Sequence, residues 1–446
     1  MYKSWKRICA LVLSLLLALS AVPVLAVPGS EQATGPGWEQ VPNDSVAFRL
    51  GAEVSEEVPA EPAHAPDEMV RVSIELDAPS TLERVGTGRV DYGTDMAAVA
   101  YRDSLRASQD AIARRISAEA LGGAKLDVVW NLTLAANLIS ANVRYGDIAA
   151  IQDVVGVRRV FLENRYEPMK ALPGDGPMMS VATEMTGVQQ VWSTGYTGAG
   201  SRVAVVDTGL DTSHQSFDAG AFDHAIAQTG KNVTLMTQAD VEVKLNQLNA
   251  KSRKSSVTAS DLYRTTKIPY AFNYVDSSTD VTHLNDTQGE HGSHVSGIAT
   301  ANRYIPDGDG GYQDAIAAVY TQGDAPDAQL LVMKVFGSKG GAYDSDYFAA
   351  IEDAIVLGAD VVNLSLGSSV PGMVNGKEYA EYLSTIQSCD LVWANSAGNS
   401  YAWASFSNLG YLYADDVSYA TGAPPAPMNT PCPWPPWTTR ASPGSF

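Results

Sequence analysis

Val203-Ala-Val-Val-Asp-Thr-Gly209 is a run of four apolar residues closed by an acid, a hydroxyl and a glycine. A strand that is apolar without interruption is covered on both faces, whereas an alternating one has a wet face. Two further strands are expected, Val361 to Leu366 and Leu391 to Ala394. A helical pattern from about Asp344 to Leu357 precedes the first of them, with Phe348, Ile351 and Ile355 on one face and Gly358 as its stop. Apolar strands alternating with helices predict an α/β parallel sheet with helices on both faces. In such a sheet functional groups collect where strands end, which puts Asp207 at a carboxyl edge with Thr208-Gly209 as the turn beyond it.

Upstream the pattern differs. Val70, Val72, Ile74 and Leu76 alternate with Arg71, Ser73, Glu75 and Asp77, which predicts a strand with one buried face. A long helix is predicted from about Asp95, carrying Leu105, Ile112 and Ile116 on one face and stopping at Gly122-Gly123. Two apolar runs (Val128 to Leu134 and Leu138 to Val143), a short helix with Ile148 and Ile151, and a strand from Val157 to Leu162 complete a β-α-β-β-α-β order over residues 68–168. That order is a ferredoxin-like α+β unit, and the topology alone assigns no role. A Gly/Pro/Met-rich junction (Leu172 to Ser180) leads into the α/β part, expected over residues 180–420. Within it, a polar insertion from about Asp218 to Thr287 carries no chemistry that the sequence reveals.

Lys3, Lys6 and Arg7 precede an apolar run from Ile8 to Leu19, and Val24-Leu25-Ala26 makes a small-residue cleavage site, so residues 1–26 read as an export signal. Beyond Ala26 no stretch approaches the about 20 apolar residues of a spanning helix, so no membrane span is expected after cleavage. Residues 27–67, rich in Pro, Glu, Gly and Ala, read as a flexible leader. The 446 residues are 45% hydrophobic and 18% charged, which fits two or three folded domains and excludes a disordered chain. Removing the three signal cations takes the formal charge from −20 to −23, which argues against nucleic acid or an anionic membrane as partner. Of three cysteines, Cys9 leaves with the signal and Cys432 lies in a proline-rich tail that reads as non-native, so no disulfide is expected. Cys389, before an apolar run, reads as a buried small hydrophobe.

His291 opens a helix of small residues, His291-Gly-Ser-His-Val-Ser-Gly297. Imidazole supplies a base near neutral pH, and a buried carboxylate fixes its tautomer and stabilises the imidazolium. Asp207 is the candidate carboxylate. Gly292, Ser293, Ser296 and Gly297 would let the helix pack close to the sheet and bring His291 to the strand ends. Two other chemistries compete. Asp-Thr-Gly after an apolar run also occurs in aspartic proteases, but no second such motif is present unless the chain dimerises. His291 and His294 share a helical face, yet no third metal ligand stands near and no HExxH occurs, so no metal is assigned. His64, His214, His224 and His283 read as surface or core residues.

Five blocks in order, VAVVDTG (203–209), HGSHVSGIA (291–299), APDAQLLVMKVF (325–336), ADVVNLSLGSS (359–369) and NSAGNS (395–400), resemble the subtilisin-like serine proteases, or subtilases. The insertion carrying IPYAFNYVDSSTD (268–280) is similar to that of the lactocepin-type cell-envelope proteinases of Gram-positive bacteria. The resemblance implies a secreted or cell-surface bacterial serine endopeptidase precursor acting on polypeptides. It implies that Asp207 orients His291 as base, and that Asn399 donates its amide to the oxyanion. It also implies that Ser365, Leu366 and Gly367 offer a strand edge to an extended peptide. Residues 68–168 would be the inhibitory propeptide, cut off near the 172–180 junction. Asp324, before Ala325-Pro326, departs from the family, which has an apolar residue there. A structural calcium is compatible with the family, but Asp307-Gly-Asp-Gly-Gly311 lacks a closing carboxylate and reads as a polar turn.

The family's nucleophile sits in Gly-Thr-Ser-Met-Ala, and no such segment occurs here. Residues 421–446 are instead rich in proline, which no buried strand or helix tolerates. A one-base shift of reading frame near Gly422 accounts for this tail. Codons for Cys432, Trp434 and Trp437 begin TG, so in the shifted frame each gives Leu, Met or Val, and Pro435 becomes Ala. The shifted string can read GSPGSYEHSLPVASVDNAGVTGEL, which resembles the strand and turn after the subtilase oxyanion loop. The expectation is a frameshifted, truncated chain that is inactive for want of its serine. The alternative is a non-catalytic peptide-binding product or a defective fragment.

Overall fold

The computed structural model describes residues 64–88, 90–168, 183, 186–284, 286–338, 340–367 and 377–396. The expected signal, most of the leader, the 172–180 junction, Asn399 and the 421–446 tail lie outside the described residues.

Residues 64–168 form the α+β layer expected from the sequence: β1 (Met69–Leu76), α1 (Thr81–Val85), α2 (Met96–Glu119), β2 (Asp127–Leu132), β3 (Leu138–Arg144), α3 (Ile148–Gln152) and β4 (Val157–Leu162). The strands pair antiparallel in the order β2-β3-β1-β4, the ferredoxin-like arrangement. Asp95 starts α2 by accepting the amides of Ala97 and Ala98. Val72, Ile74, Ile112, Ile116 and Ile139 then pack one face of the sheet against the helices.

β1 departs from the expected one-sided burial. Ser73 and Glu75, on its second face, are also buried. That face is covered by the α/β part of the chain, where α11 (Asp344–Val356) lies against it. Trp130 Nε1 donates to Asp346 Oδ1 at 2.8 Å, and the Ser140 and Ser345 hydroxyls are 3.0 Å apart.

The remaining elements are β5 (Arg165–Pro168), α4 (Val188–Ser193), β6 (Arg202–Asp207), α5 (Ala219–Gln228), α6 (Gln238–Lys244), α7 (Asn249–Arg253), α8 (Ala259–Leu262) and β7 (Tyr270–Asn273). They continue with α9 (His291–Thr300), the hairpin β8 (Tyr304–Pro306) and β9 (Tyr312–Asp314), α10 (Ala315–Val319), β10 (Gln329–Lys334), β11 (Ala342–Tyr343), α11, β12 (Val361–Leu364), β13 (Leu366–Gly367), α12 (Lys377–Gln387) and β14 (Val392–Asn395). Five strands make one parallel sheet in the order β14-β12-β6-β10-β7. Val203, Val205, Leu330 and Val332 point to one face, where α9 packs through Val295 and Ala299. Ala204, Val206, Leu331 and Met333 point to the other, under α11. Burial on both faces is what made these strands continuous in apolar residues.

α11 was expected to bury one face, but all its residues are buried, because the sheet of residues 64–168 covers the face that would otherwise meet water. The strand expected from Val361 to Leu366 breaks at Ser365, and Leu366–Gly367 leaves the parallel sheet to pair elsewhere. The insertion is not merely polar: it supplies the edge strand β7 and buries Val241, Leu248, Leu262, Tyr270 and Phe272.

Candidate active site

Asp207 ends the central strand β6 and is 1% exposed. Its backbone carbonyl accepts from Val335 N, which ties the strand end to β10. Gly209 follows with φ +111°, a conformation glycine adopts without strain. A side chain there would also strike Val281 O at 2.1 Å. The chain therefore turns sharply and leaves the Asp207 carboxylate facing the start of α9.

His291 is the first residue of α9. Its Nδ1 lies 2.9 Å from Asp207 Oδ1 and 3.0 Å from Oδ2. An ionised carboxylate can only accept, so Nδ1 carries the proton and Nε2 keeps its lone pair. The hydrogen bond to Asp207 raises the imidazole pKa above its ordinary value, and partial burial opposes it. Among the described residues no hydroxyl or thiol bonds Nε2.

The close approach of helix and turn depends on Gly292. A Cβ there would stand 2.3 Å from Gly209 O and 3.1 Å from Asp207 Oδ1. Gly292 N donates to Thr208 Oγ1 at 2.8 Å. Ser296 is buried against the sheet, as expected for a small residue. Gly297 is different: a side chain there would meet open space, so its smallness does not serve the packing. Ser293 accepts from Asp211 N at 2.9 Å and sits 3.2 Å from His283 Nδ1, which gives both residues a place in the turn beside the site.

Lys334, a lysine inside the apolar run LLVMKVF (330–336), joins the site in a way its sequence position signals only by its charge. On β10 it pairs in register with Asp207. Its ammonium is buried, donates to Thr208 O and lies 2.6 Å from Asp286 Oδ2. It thus clamps the turn after Asp207 to the end of the insertion.

Ser365 accepts from Asn363 Nδ2 at 2.8 Å. Beyond it Leu366 and Gly367 pair antiparallel with Pro168 and Glu167. The other edge of β5 pairs with β11, Tyr166 opposite Ala342 and Arg165 opposite Tyr343. Residues 165–168 thus form the central strand of a three-stranded sheet whose outer strands both belong to the α/β part. The sequence pointed to one edge only; the Ala342–Tyr343 edge is too short to show periodicity.

Tyr166 anchors the inserted strand. It is 2% exposed, stands edge-on to Tyr347, and donates to Asp344 Oδ1 at 2.8 Å. Asp344 also accepts from Tyr347 Oη and from Asn164 N and Nδ2. Burial, with Glu163 nearby, still pushes the Asp344 carboxyl up to about 7.

Two other motifs have structural places. Asp307 Oδ1 accepts the amides of Asp309 and Gly311, which closes the β8-β9 turn internally. Asp324, the departure from the family pattern, is half-buried, and burial raises its carboxyl pKa; its carbonyl accepts from Trp192 Nε1. Cys389 packs against the main core, and burial pushes its thiol up to about 11.

An acid at the end of a central parallel strand, bonded to a histidine that opens the next helix, sits in a chain whose residues 198–428 match the family described as "Subtilase family". The chain belongs to the subtilase family. A PII-type proteinase of Lacticaseibacillus paracasei is 31% identical over 314 residues, 68% of this chain and 14% of its own length. A PI-type proteinase of Lactococcus lactis subsp. cremoris is 30% identical over 338 residues, 73% of this chain and 15% of its own. The minor extracellular protease Vpr of Bacillus subtilis (strain 168) is 28% identical over 276 residues, 60% of this chain and 25% of its own. This subtilase chain therefore spans only a small part of the length of the relatives it matches. No helix among its described residues is long and apolar enough to cross a membrane.

Proposed function

We propose that the chain carries the acid and base of a secreted subtilisin-like serine endopeptidase, with residues 68–168 as an inhibitory propeptide. The observation that carries this reading is the Asp207–His291 pair, with Nδ1 held by the carboxylate and Nε2 free to accept a proton. A serine delivered to Nε2 would lose its proton to His291 as it attacks the scissile carbonyl, and the imidazolium would return the proton to the leaving amine. Asp207 stabilises the imidazolium without taking the proton. Asn399 would donate to the oxyanion, a contact worth about 100-fold or more in rate.

The paired edges, Ala342–Tyr343 and Leu366–Gly367, support the substrate reading. Backbone pairing on both sides holds any extended peptide by its main chain. Residues 165–168 fill this slot in the manner of a substrate, so the same contact that would bind a polypeptide would also block the site until the segment leaves.

The 446 residues hold no Gly-Thr-Ser-Met-Ala segment, and we propose that these residues by themselves do not turn over substrate. In subtilisin itself, loss of the nucleophile costs about six orders of magnitude in turnover. The second reading, a non-catalytic peptide-binding protein, rests on the same occupied slot. A serine-directed fluorophosphonate separates them. The expected result is no labelling of the 446 residues alone, and His291-dependent labelling of a chain to which a subtilase segment carrying Gly-Thr-Ser-Met-Ala is joined. If the chain so extended binds extended peptides but takes no label, the endopeptidase reading fails and the binding protein stands.

A further inference from the structure

We infer that residues 238–253 of the insertion form a docking clamp for this chain's own N-terminal α+β unit, a second seat beside α11 that governs how long the unit remains bound. The inference rests on the reading of residues 68–168 as a propeptide only for its biological meaning; the docking stands on contacts.

Three elements of the N-terminal unit are gripped. The first is α2, where Arg106 donates to Asn246 O at 3.3 Å, Gln247 O at 3.3 Å and Gln247 Oε1 at 3.0 Å. These carbonyls follow the end of α6, where backbone oxygens lack helical partners and carry partial negative charge. Gln247 Nε2 answers by donating to Asp103 Oδ1.

The second is the turn at residues 91–93. Lys244 of α6 is buried, and its ammonium donates to Asp91 Oδ1 at 2.5 Å and to Val356 O at 2.9 Å. One cation thus joins the insertion, the N-terminal unit and the end of α11. The approach is close enough that a Cβ on Gly93 would lie 2.7 Å from Lys244 Cγ.

The third is β2, where Arg253 Nη1 donates to Val129 O at 3.3 Å and its guanidinium lies 5.5 Å from the Trp130 ring centroid. The clamp is itself fixed to α11. Asp353 accepts Asn249 N and Ala250 N at 2.6 and 3.0 Å, and Asn249 Nδ2 donates to Glu352. Contacts to a helix, a turn and a strand fix both position and orientation. They also demand an arginine, an acid and a glycine at set places in the partner, which a foreign α+β unit would not supply.

The test uses the full chain with a recognition sequence for a site-specific protease placed over residues 172–178. After cutting, the rate at which the two fragments separate on dilution is followed by size-exclusion chromatography. The parent fragments should stay together. Lys244→Met should speed separation about 10-fold, since Asp91 and Val356 O both lose the buried ammonium that joins them. Arg106→Ala sits on a helix surface that tolerates alanine, so it folds and should speed separation about 10-fold, with Arg106→Lys in between. Off-rates of Arg106→Ala and Lys244→Met within twofold of the parent would overturn the clamp, as would parent fragments that part at once. No peptide-bond cleavage by this chain is measured, so an inactive protein gives the same answer.

Discussion

Glu352 bears the heaviest single load at the seam between the N-terminal unit and the α/β part. It is fully buried on α11. Its carboxylate accepts Leu134 N and Ala135 N at 2.8 Å each, Thr133 N at 3.4 Å and Asn249 Nδ2 at 3.1 Å. In Glu352→Ala the two short amide bonds lose their acceptor in a place where the backbone has no other. A buried donor left unsatisfied costs about 1–3 kcal/mol, so two cost about 2–6 kcal/mol. That is a large share of the about 5–15 kcal/mol that holds a domain folded. Glu352→Gln keeps one acceptor oxygen but turns an NH2 toward the remaining donors, and should cost about 1–3 kcal/mol. Amide hydrogen exchange reads the effect where it arises. Exchange at Leu134 and Ala135 should speed by about 30-fold or more in the alanine variant, at about tenfold per 1.4 kcal/mol, and by less in the glutamine variant. Protection of both amides within threefold of the parent in Glu352→Ala would refute the claim that this carboxylate holds the loop.

Other expectations follow from the site. The His291 ring, followed by NMR, should titrate above the ordinary histidine value, and Asp207→Asn should lower its midpoint. Because the folded-state pKa is raised, the stability this pair contributes is complete below the unfolded histidine pKa of about 6.5 and is lost as pH rises through the folded value; a pH–stability profile identical in His291→Gln would contradict this. Gly292→Ala places a methyl 2.3 Å from Gly209 O and should destabilise by about 1–3 kcal/mol in urea unfolding while weakening the Asp207–His291 bond. Asp344 has a carboxyl pKa raised to about 7, so its ionised form opposes folding. Stability should fall from the ordinary carboxylate range up to about pH 7 and level off above it, and Asp344→Asn should flatten that part of the curve.

The parts of the fold legible in the sequence were those with a local period. Strands β6 and β12 read as strands of a covered sheet because helices lie on both faces of it, whereas β10 carries no such reading and is placed by the structure. The long helix α2 was legible from Asp95 and its apolar stripe. The pairing of Asp207 with His291 could be anticipated because a strand end and a helix start are themselves local signals. The glycine at 292 was visible as a small residue, though Gly297 looked equivalent until its surroundings were known.

What lay outside sequence reasoning was the identity of each partner surface. Periodicity says which face of an element avoids water, and not what lies against it. α11 looked half-wet because its second face carries Asp346, Glu352 and Asp353, and only packing shows those acids capping backbone amides and a tryptophan of another layer. The same holds for Ser73 and Glu75 on β1, polar residues buried between two layers. The insertion looked inert because its contacts run through single long side chains, Lys244 and Arg253, to residues more than 120 positions away. The strand at residues 165–168 is defined by two neighbours rather than by its own composition. The sequence by itself determined the apolar strands β6 and β12, the long helices and the placing of Asp207 and His291 at a strand end and a helix start; the tertiary structure alone decided that the N-terminal layer seals α11 and that residues 165–168 pair between Ala342–Tyr343 and Leu366–Gly367, since such contacts depend on surfaces brought together from distant parts of the chain.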